Sequence, residues 1–425
     1  MKYEIWKTGD PSPDAVNALI RGNYAPLAAM VLAARGMDDA PCADRYLNCN
    51  APLQNPYLLK DMDLAAGRVG LAIERQEKIA VFGDYDVDGI TATCLLTDFL
   101  RKQGCDCVSY IPGRLEEGYG LNPIAIDYLH GLGVTLIITV DCGITAVEEA
   151  KLCKKLGIDL VITDHHECKD TLPEAIAVVD PHRPDGGYPH KNLSGVGVAF
   201  KLAAALSGCQ DEVLEEYADM VCLGTVADVM PLQGENRVFV TRGLQSLRRT
   251  KRPGIAALMA ESGCAPEALN ASSIGYMLAP RINAAGRMGQ IDLAVELFLT
   301  DDPSRAHELA RALCDLNRQR QSVESEIYTL SLHDALPICG SWLFRARRPG
   351  RSGKRGRHIP PRCGWPRCQP HPDASFRLPG RWPPDSGLQA AWTQPGHRSP
   401  IPQPDAGGSG RTAAWPLLWP GQDLP

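Results

Sequence analysis

The sequence predicts an α/β protein built on a doubly wound parallel sheet, and three observations carry that expectation. Apolar runs rich in Val and Ile recur at 78–83, 107–112, 134–140, 158–163 and 176–179. Stretches with helical spacing separate most of them, at Ile90 to Lys102, Pro123 to His130 and Thr145 to Leu156, and strands that alternate with helices pair in parallel. The runs are nearly continuous rather than alternating, as strands covered on both faces are. Ligands of such sheets bind outside the carboxyl ends of the strands. Asp84, Asp141 and Asp164 each follow directly on an apolar run, so residues far apart in sequence are expected to converge there.

The remaining elements read in order as follows. Residues 1–75 form a helical preamble, 76–235 the sheet domain, and 236–330 a helical segment; helical spacing already dominates from 195 onward. The last clear element, roughly Asp301 to Leu330, is charged and amphipathic and reads as a helix connecting to a further domain. Residues 331–425 change character. They contain no Glu, Val, Asn or Tyr and a single Lys, Lys354, yet hold half of the 34 prolines and six of the seven tryptophans. A basic, Pro-rich, Trp-dotted arm that binds nucleic acid is one reading. A better one is GC-rich coding DNA translated in a wrong frame, because the join Ser331-Leu332-His333-Asp334-Ala335-Leu336-Pro337-Ile338 resembles translated adapter sequence. The tail is therefore expected to be artefactual and disordered, and it is set aside from fold reasoning.

Composition excludes several classes. No stretch approaches the roughly 18 uninterrupted apolar residues of a membrane span, and the opening MKYEIWKTGDPSPD lacks a signal peptide's apolar centre. A cytoplasmic protein with no membrane partner is expected. The fifteen cysteines are scattered without C-x-x-C pairs and read as reduced, small apolar residues. The tail carries thirteen Lys+Arg against five Asp+Glu, which leaves a net charge of −14 for residues 1–330. That charge argues against indiscriminate coating of nucleic acid and suits a narrow channel with local positive charge.

The chemistry concentrates in Asp84-Tyr85-Asp86-Val87-Asp88-Gly89 and Asp164-His165-His166. Carboxylates repeated every second residue at a strand end put several oxygens near one point, a concentration of charge tolerable around cations. The histidines add softer nitrogen ligands. A calcium loop of the EF-hand type also opens D-x-D-x-D-G, but its twelfth position requires a bidentate Glu and is Leu95 here, and the preceding run is a strand. An aspartyl-phosphate enzyme of the haloacid dehalogenase type uses D-x-D-G-T. Here Ile90 stands between Gly89 and Thr91, and that reading leaves His165 and His166 without a role. An ordinary polar turn is the usual fate of a lone Asp-Gly; three alternate carboxylates with a second acidic and imidazole cluster make it a poor account.

GDYDVDGITA (Gly83 to Ala92), VDCGITA (Val140 to Ala146), TDHHE (Thr163 to Glu167) and GTVADVMPL (Gly224 to Leu232) match, in order and approximate spacing, the core motifs of the DHH phosphoesterase family. Supporting stretches are IPGRLEEGYGLN (Ile111 to Asn122), VDPHRPD (Val179 to Asp185), LSGVGVAFKL (Leu193 to Leu202) and APRINAAGRM (Ala279 to Met288). Within that family the chain resembles single-strand-specific exonucleases over about residues 1–330. The resemblance implies a two-metal phosphodiesterase with Asp84, Asp86, Asp88, Asp141, His165 and Asp228 as ligands and Asp141 as the bridge. Two Mn²⁺ are implied, with Mg²⁺ as the alternative, since imidazole suits transition metals better than Mg²⁺. His166 is expected to touch the scissile phosphate rather than a metal, which makes His166 and Asp141 the catalytic pair.

Substrate residues carry less. The resemblance favours Arg114 as the holder of a terminal 5′ phosphate, against a solvated loop arginine. Arg281 and Arg287 can contact backbone phosphates. The run Arg248-Arg249-Thr250-Lys251-Arg252 reads more simply as a solvated helix end, and Gly195 and Gly197 as places of close backbone packing. The expected activity is 5′-to-3′ exonuclease action on single-stranded DNA with a free 5′ end, in recombination and repair, with a helicase or single-strand-binding protein as further partner. The rivals are a phosphodiesterase for short oligonucleotides or cyclic dinucleotides and a non-catalytic DNA-binding replication scaffold. The family continues past the connecting helix into a domain with a Gly-Gly-His motif that closes the cleft, and no such motif follows Leu330. The 425-residue chain is therefore expected to be poorly soluble and nearly inactive; vigorous exonuclease turnover by the purified chain would contradict this.

Overall fold

The computed structural model describes residues 10–49, 51–113, 117–118 and 120–340, with side chains to residue 322. Expectations that fall on 341–425, and the one on Arg114, lie outside the described residues. Five strands, β1 (Ile79–Gly83), β2 (Cys107–Tyr110), β3 (Leu136–Val140), β4 (Asp159–Thr163) and β5 (Ala177–Val179), form one sheet of order β2-β1-β3-β4-β5. Every pairing is parallel. The strands lie within two residues of the apolar runs that predict them. Alternate residues serve the two faces: Ile79, Val81, Ile138 and Val161 join one buried cluster, while Ala80, Phe82, Ile137 and Ile162 join another. That double burial is why the strands read as continuous apolar runs.

Helices cover both faces. Four helices precede or flank the first strand: α1 (Pro13–Arg21), α2 (Pro26–Ala33), α3 (Ala40–Asn48) and α4 (Met62–Glu74). The first three enclose a small core of their own around Leu19, Ala29 and Leu32, and α3 is tied to the main body by Arg237, whose guanidinium lies 3.9 Å from the Tyr46 ring centre. Between strands come α5 (Val87–Lys102), α6 (Pro123–Gly131) and α7 (Val147–Leu156). The long helical part comprises α8 (Gly195–Ser207), α9 (Gln210–Ala227), α10 (Gly234–Leu247), α11 (Pro253–Ser262), α12 (Ala271–Ser273), α13 (Ala279–Arg287), α14 (Ile291–Leu299) and α15 (Pro303–Gly340). A π-helical turn, Ile274–Leu278, joins α12 to α13.

Two boundaries differ from the sequence expectation. Helix α5 begins at Val87, three residues before Ile90, because Asp86 caps it by accepting the Gly89 N–H at 3.0 Å and an acidic first turn suits the positive end of a helix. The acidic repeat is thus a strand-to-helix turn rather than a strand end alone. Helix α15 runs on through Ser331 to Gly340, across the point where composition changes. The described cysteines are free and most are buried, in keeping with their reading as small apolar residues. Among the described residues no helix is long and apolar enough to cross a membrane.

One buried ion pair locks α8 in place. Lys201 is fully buried, and its Nζ donates to Glu235 Oε1 (2.6 Å), Gln210 Oε1 (2.9 Å) and the Gln54 carbonyl (2.7 Å). Tyr188 donates to the other Glu235 oxygen at 2.6 Å, so several separate segments meet at one charge pair. Removing one partner strands the other in a low-dielectric interior. Lys201→Ala is therefore expected to cost about 3–5 kcal/mol in denaturant unfolding, and a loss below about 1 kcal/mol would show the network to be dispensable.

Candidate metal centre

Strand register builds the centre. Gly83 pairs with Val140, Val140 with Thr163, and Thr163 with Val179, so the next residues, Asp84, Asp141, Asp164 and Asp180, leave four neighbouring strands at one level. All four are buried. The sequence reading named three of them as strand-end residues. Asp180 was legible in the same way, as an aspartate directly after an apolar run, but its run, Ala177–Val179, is short.

The four do different work. Asp164 spends both oxygens on protein donors: Oδ1 takes the backbone N–H of His165 (2.7 Å) and His166 (3.2 Å) and meets His166 Nδ1 (2.7 Å), while Oδ2 takes the Ile144 N–H (2.8 Å). Burial alone pushes its carboxyl up, yet these bonds outweigh it and hold the group below the usual range. Asp164 therefore aims the two histidines and ties β4 to the loop after β3. Its bond to His166 pushes that imidazole up to about 9, and the ring is about half exposed at 48%. Asp180 takes the His182 N–H at 2.6 Å and keeps Oδ2 buried without a partner.

Around Asp141 the ligand-type atoms gather. Three groups each place their atoms within 4.8 Å of one another: Asp84, Asp86 and Asp141; Asp141, His165 and His166; Asp88, His165 and Asp228. Asp141 and His165 each belong to two groups, so the candidates form one continuous centre. His165 Nε2 stands 3.0 Å from Asp141, 3.7 Å from Asp228 and 3.9 Å from Asp88. Burial raises Asp84 and Asp88 to about 7 and Asp141 well above the carboxylate range, with neighbouring carboxylates adding to the effect. Asp228 is raised for the same reason.

The chain distorts itself to hold these groups. Asp141 sits at φ 59° and Val229, directly after Asp228, at φ 58°; the left-handed region is costly for a β-branched residue and clusters at functional sites. Asp88, in the first turn of α5, is engaged differently from Asp84. Its two oxygens accept the Gly195 N–H (2.5 Å) and the Val196 N–H (3.0 Å) at the start of α8. A Cβ at Gly195 would lie 2.4 Å from Asp141, which bears out close backbone packing there. At Gly197 it would meet nothing nearer than Ser194 Oγ at 3.4 Å, an ordinary contact. Close packing thus belongs to Gly195; Gly197 gives its N–H to the Ser194 cap.

The arginines divide. Arg281 points Nε at Cys314 Sγ on α15 (3.3 Å) and gives another N–H to the Met277 carbonyl. Arg287 is exposed in the last turn of α13, next to Gly286, which abuts the Tyr85 carbonyl. In the basic run, Arg252 is only partly exposed and pairs with Asp219 (3.3 Å) and Asp98 (3.8 Å), while Arg248 donates to the Leu269 carbonyl. That run is therefore more anchored than a solvated helix end.

The residues fit a pair of divalent cations. Asp84 Oδ1 and Asp228 Oδ2 are buried without hydrogen-bond partners and Asp141 Oδ1 faces His165 Nε2 at 3.0 Å, a costly condition in a dry interior unless a cation completes it. Mixed oxygen and imidazole donors suit Mn²⁺. A parallel sheet with such a centre at its carboxyl edge defines a class, the metal-dependent phosphoesterases of doubly wound type.

Comparison with known proteins specifies it. The DHH family N-terminal domain matches residues 78–225. The single-stranded-DNA-specific exonuclease RecJ of Bacillus subtilis (strain 168) is 44% identical over 324 residues, 76% of this chain and 41% of that protein. RecJ of Escherichia coli (strain K12) is 38% identical over 328 residues, 74% and 56% respectively. A crystal structure of exonuclease RecJ bound to manganese superposes with a TM-score of 0.60 at 37% identity, covering 68% of this chain and 72% of that one. RecJ from Thermus thermophilus in complex with Mn²⁺ gives 0.66 at 32% identity, covering 78% and 47%. The chain belongs to the DHH family, in the branch represented by RecJ. It spans about half the length of the curated relatives it matches.

The raised carboxyls have a thermodynamic consequence. Without metal, the folded state holds protons on Asp84 and Asp88 up to about pH 7, whereas unfolded aspartate releases them near 3.9. Their contribution is present below about pH 4 and is lost as pH rises through 7. The chelator-treated chain should melt progressively lower from pH 5 to pH 8, and Mn²⁺ should raise Tm by more at pH 8 than at pH 5; an equal gain at both would contradict a proton-competed centre.

Proposed function

We propose that this chain carries the catalytic half of a 5′-to-3′ exonuclease that hydrolyses phosphodiester bonds of single-stranded DNA in recombination and repair. The observation that carries the reading is the convergence of Asp84, Asp86, Asp141, His165 and Asp228 with buried oxygens left unpartnered. The RecJ relatives, described as single-stranded-DNA-specific and determined with Mn²⁺ or Mg²⁺, support the substrate and the metal. Held by these residues and Asp88, two Mn²⁺, or Mg²⁺ in their place, would supply an acidified water and offset charge at phosphorus.

The chain's own groups supply the rest. Asp141 joins two of the ligand groups and so keeps them at one spacing. Asp88 braces the start of α8 against the centre, so its part is as much support as ligation. His166, oriented by Asp164, would present its exposed edge to a phosphate oxygen. Arg287, exposed in the last turn of α13, would contact a backbone phosphate, and Arg114 would hold the terminal phosphate. Arg281 belongs to the support of α13 rather than to the substrate. The division into 1–75, 76–235, 236–330 and 331–425, a cytoplasmic location, and a helicase or single-strand-binding protein as partner complete the proposal.

The test is hydrolysis at stoichiometric protein with Mn²⁺, comparing a long 5′-phosphorylated single strand with a dinucleotide. Slow release of mononucleotides from the long strand is expected, reduced at least about 100-fold in Asp141→Ala. Cleavage of the dinucleotide alone would point to an oligonucleotide phosphodiesterase. DNA binding with no hydrolysis dependent on Asp141 would point to a scaffold.

A further inference from the structure

In the stretch Ala279 to Met288, Asn283 and Gly286 contact the acidic turn. Asn283 Oδ1 accepts the Val87 N–H at 3.2 Å. Val87 is the first residue of α5, where a backbone N–H has no partner within the helix, and the Asp86 carboxylate is already committed to Gly89. The peptide whose N–H Asn283 takes is the one that joins Asp86 to Val87. One turn further along α13, Gly286 packs so closely that a Cβ would stand 2.2 Å from the Tyr85 carbonyl oxygen. Two successive peptides of the turn are thereby gripped from outside the sheet domain.

The grip is itself seated. Ile282, Ala284 and Ala285 of α13 are buried in the main cluster with Leu309, Ala310 and Leu313 of α15, and Arg281 reaches Cys314 on that helix. A π-helical turn, Ile274–Leu278, directly precedes α13.

We infer that Asn283 is a positioning residue of the metal centre: by holding the Val87 N–H it sets the direction of Asp86 toward Asp84 and Asp141, and α13 relays to that carboxylate how firmly α15 is packed. The inference rests on the metal-centre reading above and extends it to a residue 196 positions away in sequence. Outer partners of metal ligands that orient them typically carry about 10- to 100-fold in metal affinity.

The experiment is calorimetric titration of Mn²⁺ alone into the metal-free 425-residue chain, with a thermal melt of each variant. Asn283→Ala should weaken Mn²⁺ binding about 10-fold beyond anything its metal-free melt accounts for. Asn283→Asp, which keeps an acceptor oxygen in the same place, should restore binding to within about threefold of the parent. Should Asn283→Ala not fold, Asn283→Ser leaves a polar group short of Val87 and should show the same loss. Parent-like Mn²⁺ affinity in the Ala or Ser variant, or an Asp variant as weak as Ala, overturns the inference. A parent chain that takes up no Mn²⁺ overturns the metal centre itself, a failure distinct from that of Asn283.

Discussion

Parallel register across four strands is the constraint that shapes everything around the centre. Once Gly83, Val140, Thr163 and Val179 are aligned, four aspartates must leave the sheet side by side, and their burial would be untenable if each simply stayed charged. The fold answers in two ways. Asp164 and Asp88 are satisfied by backbone N–H groups from the DHH loop and from the start of α8. Asp84, Asp141 and Asp228 keep buried oxygens without partners. Asp180 combines both conditions, with one oxygen on the His182 N–H and the other buried without a partner.

The helical segments owe their arrangement to the same place. Helix α8 presents its first amides to Asp88 and is held at its middle by the buried Lys201–Glu235 pair. Helix α9 ends at Asp228, and the left-handed Val229 that follows turns the chain away while leaving the carboxylate facing His165. Helix α13 closes on the acidic turn from the other side. Strain at Asp141 is tolerable because the buried surroundings over-determine its position; Val229 is exposed, and its backbone is held by N–H bonds from Val229 to Val226 and from Met230 to Thr225.

Several features lie open in the linear chain because they follow from local pattern. Apolar runs covered on two faces announce the five strands within two residues. An aspartate after four of the five runs announces the edge where chemistry collects, and His165 and Asp228 stand in motifs specific enough to be singled out. Other features depend on partners distant in sequence. That Asp88 serves α8, that Arg281 turns to Cys314, that Arg252 is matched by Asp98 and Asp219, and that Gly195 but not Gly197 must lack a side chain are consequences of packing.

Linear order alone establishes the strand-and-helix alternation, the sign and type of the ligand groups, and the likeness to a phosphoesterase family, since periodicity and motif chemistry are carried by neighbouring residues. Packing in three dimensions settles which carboxylates are satisfied by backbone amides and which keep a buried oxygen without a partner. It also brings Asp180 level with its three counterparts and puts Asn283 against the acidic turn. Hydrogen-bond satisfaction belongs to the whole fold: besides its neighbours' amides Asp164 takes that of Ile144, 20 residues away, and Asp88 takes that of Gly195, 107 residues away along the chain.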